Sequence, residues 1–373
     1  MAANSRISWT DRTWNPLLGC ERVSPGCDGC YAIREANMHA GHPNPKISAA
    51  FAGLTRRDVA GALDWTGQVN LLEPRLSQPL KWREPSRVFV NSQSDLFHDA
   101  VPNVFIAEVF AVMAAAHWHT FQLLTKRHGR MRSLLKSRTF FDAVHTAYLC
   151  MDAAAPAIRG YQWPLPNVWL GVSVENQQWA DIRIPALLAT PAAVRWISAE
   201  PLLGPVNLKS AALRPYERQQ GGYWEYGHGE DVYGNGKIWV PAPPAQLDWV
   251  VVGGESGPGA RPMHPRWARS LRDQCVAAGV PFHYKQTGEW IEDVTIDDDG
   301  TRHINVPRDH RDRNRCAMHP AGMTALTPDN PFNPFSVGHP HWTAMRRVGK
   351  KAAGRLLDGR SWDEYPEPAA MPV

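Results

Sequence analysis

"RVFVNSQSDLFHDAVPNVFIAEVFAVMAAAH" occupies residues 87–117 and contains the unit on which the rest of the chain is built. The first five residues, Arg87–Asn91, form a short β-branched and aromatic run, the composition of a strand. Ser92–His98 is polar. Apolar residues then recur at 105, 106, 109, 110 and 113, the spacing of one helix face, with Asn103 placed to cap it. Strand, polar loop and helix thus follow one another within about thirty residues, the layout of a βα unit.

The unit repeats along the chain. Strands are predicted at Thr120–Leu124, Asn167–Val172, Val194–Ser198, Leu247–Val252 and Val280–Lys285. Helices are predicted at Gln177–Ala189, with Pro185 a break point, and at Pro265–Gly279, with Pro at the start and Gly at the end. The strands are apolar on both faces, which indicates a parallel sheet covered by helices. With one strand near the N-terminus, about seven βα-type units are expected. The fold class is α/β, a full or partial (β/α) TIM-type barrel in one domain over residues 1–373. A doubly wound open sheet is the alternative, weakened because no Gly-rich dinucleotide fingerprint follows the first strands.

Two insertions interrupt the repeat. Residues 209–246 are rich in Gly and aromatics and read as a hairpin or lid. Residues 289–340 read as a hairpin with an Asp-Gly turn, then Pro- and Asn-rich coil. The tail, residues 341–359, reads as a basic helix docked on the domain. No run of eighteen apolar residues and no signal-peptide core is present, so a cytoplasmic protein with no membrane partner is expected. The formal net charge of +4 is a weak pointer to nucleic acid. Sixteen Trp can serve either a core or a base-stacking surface, and composition does not choose between them.

Polar residues and Gly follow each strand. They include Ser92, Ser94 and Asp95; Thr125 and Lys126; Ser173, Glu175 and Asn176; Glu200; and Gly253, Gly254 and Glu255. In parallel α/β folds the carboxyl ends of the strands build the site, so these residues are expected on one rim. Carboxylates buried there require cationic partners: Lys126, Lys285, an arginine or a cationic ligand.

Three of the six cysteines, Cys20, Cys27 and Cys30, lie within "GCERVSPGCDGCYA", residues 19–32. In a reducing compartment such clustering points to metal or redox chemistry. Structural zinc takes four ligands, and His39 or His42 could be the fourth. A 4Fe-4S cluster held by three cysteines leaves one iron open to a ligand. Reduced thiols without metal are the third reading.

The stretches "WTDRTWNPLLGCERVSPGCDGCYA", "VFVNSQSDLFH", "LLTKR", "NVWLGVSVENQ", "SAEPLLGP", "WVVVGGESGPGARPMHP" and "VGKKAAGRLLDG" span residues 8–359. Together they resemble a phage and bacterial family of unknown function known for its three-cysteine motif. That family is similar, more distantly, to radical SAM enzymes, especially the spore photoproduct lyase-like group. The order of the cysteine loop with Tyr31, then Ser94-Asp95, then Thr125-Lys126, carries this resemblance. Here the first cysteine gap is six residues, where the usual spacing is C-x3-C-x2-C.

The resemblance implies a barrel of the radical SAM kind, with Cys20, Cys27 and Cys30 holding the cluster and S-adenosylmethionine on its open iron. Backbone near Ser92–Asp95 would meet the methionine amino and carboxylate groups. Ser173, Glu175 or Asn176 would meet ribose hydroxyls, Lys126 the carboxylate, and Glu200 and Glu255 the positive charge. An electron donor would be a partner, and a nucleobase or nucleic acid the substrate. Two other readings stand beside it. One is a zinc- or cluster-stapled nucleic-acid-binding protein, drawing on the basic run Thr125–Arg132. The other is a divalent-metal hydrolase using Asp95, Glu175, Glu200 and Glu255.

Overall fold

The structure, a computed structural model, describes residues 5, 7–151, 162–208, 210–213, 222–226, 237–241, 245–299, 301–307, 309–336 and 341–367. Seven parallel strands form its centre: β1 (Arg12–Trp14), β2 (Arg87–Val90), β3 (Thr120–Thr125), β4 (Val168–Ser173), β5 (Val194–Ala199), β6 (Trp249–Gly253) and β7 (Phe282–Gln286). Their order in the sheet is their order in the chain. A doubly wound sheet reverses direction at a switch point, and this one does not. The sheet is a curled half-barrel. Among the described strands β1 and β7 do not pair, so the barrel is not closed.

The main helices are α1 (Tyr31–Ala40), α2 (Asn103–Ala115), α3 (His128–Leu135), α4 (Arg138–Leu149), α5 (Gln177–Leu188) and α6 (Pro265–Ala278). Pro185 does not break α5, and Pro102 rather than Asn103 caps α2. Alternate residues of the strands serve two cores. Val88, Val90, Leu170, Val172, Ile197, Val250, Val252 and Phe282 face the helical layer. Phe89, Trp169, Trp196, Trp249 and Val251 face inward, where Trp9 joins them. Trp9, Trp196 and Trp249 stack edge-on or tilted, with centroids 5.3 to 6.2 Å apart. These tryptophans are therefore core, a plug inside the half-barrel. Gly171 is required beside them, because a Cβ there would collide with the Trp196 ring.

The amino ends of the strands are sealed by the C-terminal segment. The Glu364 carbonyl accepts from the Trp249 indole at 2.8 Å and its carboxylate from the Phe282 amide at 3.0 Å. Tyr365 donates to the Ser8 carbonyl and lies under the Arg87 guanidinium, 4.1 Å away. The opposite, carboxyl end of the half-barrel is open.

The second half of the chain departs from expectation in two places. The 289–340 region contains the predicted hairpin, β9 (Val294–Ile296) with β10 (Arg302–Ile304), flanked by strand β8 (Trp290–Glu292). The remainder of that region is not only coil: β11 (Arg315–Met318) and β12 (Thr324–Ala325) join β8 and β13 (Thr343–Arg347) in an antiparallel sheet. The tail expected to be helical over 341–359 is thus β13 and then one turn, α7 (Lys350–Ala353). Gly349 and Gly354 bracket that turn with φ of 87° and 68°, and Asp293 pairs with Arg315 and Arg346 to hold the strand. Within 209–246, Gly222–Tyr226 and Lys237–Pro241 pair as an antiparallel hairpin; the lid reading lies outside the described residues.

Candidate functional site: a thiol-lined cleft

A cleft of about 260 Å³ lies at the carboxyl ends of the strands. Cys20, Cys27 and Cys30 line it together with Ser92, Ser94, Asp95, Thr125, Lys126, Ser173, Glu200, Gly254 and Glu255. Its floor is apolar, made by Trp9, Phe89 and Leu124 around Asn91. The rim read from the sequence is thereby brought together, with three exceptions. Glu175, Asn176 and Gly253 do not line the cleft: Asn176 caps α5, and Gly253 leaves room for the Glu200 carboxylate.

The cysteine loop is pinned at its start. Gly19 adopts φ of 97° and bridges to Ser94, whose hydroxyl donates to the Leu17 carbonyl at 2.9 Å. A 3-10 turn over Pro25–Cys27 then carries the chain to Cys30, the residue before α1. Tyr31, the first residue of α1, donates to the Ser92 carbonyl at 2.6 Å, tying the helix to the end of β2.

Two buried carboxylates hold the middle of the loop. Glu175 accepts from the Ser24 hydroxyl at 2.6 Å and pairs with Arg183 at 2.8 Å and Lys126 at 3.5 Å. Glu175 and Arg183 have no exposed side-chain surface. Burial opposes the charge on Glu175, but Lys126, Arg183 and Ser24 outweigh it and hold its carboxyl below the usual range. Glu255 accepts two bonds from the Arg261 guanidinium, at 2.8 and 2.7 Å, and one from the Arg261 amide. Arg261 also donates to the Pro25 carbonyl and to Asp28, so it bridges β6 to the loop. The loop's glycines fit this packing. A Cβ on Gly26 would lie 2.5 Å from Glu175, and one on Gly29 would collide with the Glu255 carboxylate.

Asp95 ties β2 to β3. It accepts from the Thr125 hydroxyl at 2.7 and 2.9 Å, from the Lys126 amide and from the Phe97 amide. Glu200 accepts from Ser198 and pairs with Lys285 at 3.1 Å. Each candidate carboxylate therefore has a partner within the chain. Lys126 and Lys285 are the partners read from the sequence; Arg183 and Arg261 were not singled out there. Arg183 left a trace, a charged residue among Ala180, Ile184 and Leu187 on the buried face of α5. The basic run is also engaged internally: Arg127 pairs with Glu21 and Asp99, and Arg130 donates to the carbonyls of His98 and Val101.

The thiols are suited to a cation. Burial, then the charge of Asp95, raises the Cys20 thiol above its usual value, and Cys27 and Cys30 add to the rise. Burial likewise raises Cys30, against amides at the start of α1 and Lys126. Thiols kept protonated this way lose their protons on binding a metal. Among the described residues no three His, Cys, Asp or Glu gather as ligands for a single ion. His39 and His42 do not line the cleft; His39 packs on Phe51 and His42. The donor set is thus three thiols without a fourth protein ligand, which fits a cluster with an open iron better than a four-ligand zinc ion.

An open parallel half-barrel with three thiols over its carboxyl-end cleft defines the class of α/β protein. The chain belongs to the family described as protein of unknown function (DUF5131), whose model matches residues 4–366. No curated protein and no solved structure matches the chain. Among the described residues no helix is long and apolar enough to cross a membrane.

Proposed function

We propose that the cleft is the active site of a radical SAM-type enzyme on a TIM-like partial barrel, with an iron–sulfur cluster held by Cys20, Cys27 and Cys30. The observation that carries this reading is the position of all three thiols on one pinned loop that lines the cleft. When bound, such a cluster supplies one-electron cleavage of the C5′–S bond of S-adenosylmethionine, giving methionine and a 5′-deoxyadenosyl radical. The protein's part is orientation and exclusion of water. Glu255 with Arg261, and Glu175 with Arg183, hold the loop. Lys126 and Lys285 line the cleft beside the thiols and bring positive charge for a carboxylate. The Trp9, Trp196 and Trp249 plug closes the cleft from below. The substrate we propose is of the nucleobase class, and an external electron donor is required.

The alternatives draw less support. Arginines of the basic run are engaged within the fold, which weakens a nucleic-acid surface there. Asp95, Glu175, Glu200 and Glu255 already have donors or cations, which weakens a divalent-metal hydrolase. The test is incubation of anaerobically reconstituted protein with S-adenosylmethionine and dithionite. 5′-Deoxyadenosine is expected from the parental protein and not from Cys27→Ala. Its absence from the parental protein, with a cluster present, contradicts the reading.

A further inference from the structure

On the floor of the cleft Asn91 is anomalous in two ways. Its backbone takes φ of 61°, in the left-handed region that few residues other than Gly adopt. Its side chain is 3% exposed, and neither Oδ1 nor Nδ2 has a hydrogen-bond partner among the described residues. A turn alone explains the backbone but not the carboxamide. Gly would adopt the same φ without strain, and the turn's bonds run through main-chain atoms: the Asn91 amide to the Trp14 carbonyl, and the Ser94 amide to the Asn91 carbonyl. The Trp9 indole N–H, also lining the cleft, is buried and unpaired as well. Buried polar groups in native proteins nearly always find partners, so two such groups on one floor point to a ligand.

We propose that Asn91 reads an adenine base at the floor of the cleft. A carboxamide is neutral and offers one donor beside one acceptor, so it selects a neutral edge with the complementary pair. Adenine presents this pair as its N6 amino group and N7, the established partner of an Asn side chain. Phe89, Trp9 and Leu124 give the apolar walls that a flat heteroaromatic ring needs. A cleft of about 260 Å³ suits a single nucleoside rather than a strand. The proposal needs only the cleft floor, whatever metal the cysteines hold.

The test is equilibrium dialysis of chelator-treated, full-length protein against adenosine, 7-deazaadenosine, guanosine and a short oligo(dA) strand. Adenosine is expected to bind, and 7-deazaadenosine, which lacks the N7 acceptor, at least about ten-fold more weakly. Asn91→Gly is expected to lose adenosine binding by a similar factor while its melting temperature holds or rises. Asn91→Asp, which tolerates the same backbone but offers acceptors only, is expected to shift preference toward guanosine with its adjacent N1 and N2 donors. Adenosine affinity unchanged in both variants overturns the proposal. So does equal affinity for the 7-deaza analogue, binding of oligo(dA) but not adenosine, or no adenosine binding by the folded parental protein. Because the protein is iron-free, these outcomes are independent of whether a cluster forms.

Discussion

Arg261 touches Glu255 with three donors and reaches Pro25 and Asp28 with the rest of its guanidinium. It is the side chain through which β6 positions the cysteine loop. Arg261→Ala is expected to raise the rate at which a thiol reagent modifies Cys27 and Cys30 in metal-free protein, with circular dichroism unchanged; an unchanged rate would remove Arg261 from this role. Glu175 works from the other side. Glu175→Gln leaves the fully buried Arg183 without its counter-charge, so a loss of roughly 3–5 kcal/mol is expected in denaturant unfolding. At this scale the sequence is informative about residue type and silent about pairing. Three close cysteines and a set of carboxylates after strands are visible in it. That Glu255 meets Arg261 and Glu175 meets Arg183 depends on backbone geometry that spacing does not encode. Asn91 is hidden for the same reason, since a positive φ on a non-glycine residue leaves no mark in composition.

The strands are the most legible elements, because residues apolar on both faces and about thirty apart have few other readings. Six lie within two residues of their expected bounds, from Arg87–Val90 to Phe282–Gln286. Gly171 shows a constraint hidden inside one of them. It lies in β4 opposite Trp196 in register, and its missing side chain is the space the indole fills. Gly171→Ala is therefore expected to destabilise by roughly 1–3 kcal/mol through overpacking, read as a lowered melting temperature. An unchanged melting temperature would mean the plug is loosely packed. The tail reads as helix in the sequence because Lys and Arg among Ala and Leu have high helix propensity. Two glycines and a ladder with β11 prevail over that preference.

At the scale of the whole molecule, the amino end of the half-barrel is closed by its own C-terminal segment, and the carboxyl end carries the cleft. His283 sits in that closure, bonded to Ser8 at 2.9 Å and packed between Trp249 and Tyr365. Burial pushes it down to about 4. The unfolded chain takes up this proton near pH 6.5 and the native one only near 4. The contribution of His283 to stability is therefore complete above about pH 6.5 and is lost as pH falls toward 4. His264, also held at about 4 by burial, acts in the same direction. Unfolding free energy is expected to decline across this window, and His283→Gln to flatten the decline by up to about one proton; an identical slope would place the titration elsewhere. The half-barrel and its rim are legible from the order of strands and polar loops. The closing segment is not, since contacts such as Tyr365 with Ser8 join the two ends of the chain.

Whether Cys20, Cys27 and Cys30 hold an iron–sulfur cluster is read out by anaerobic reconstitution of the full chain with iron and sulfide. About four iron and four sulfide per chain are expected, with brown cluster absorbance lost in Cys20→Ala, Cys27→Ala and Cys30→Ala. Tightly bound zinc with no iron uptake, or a cluster that persists in all three variants, would contradict the assignment.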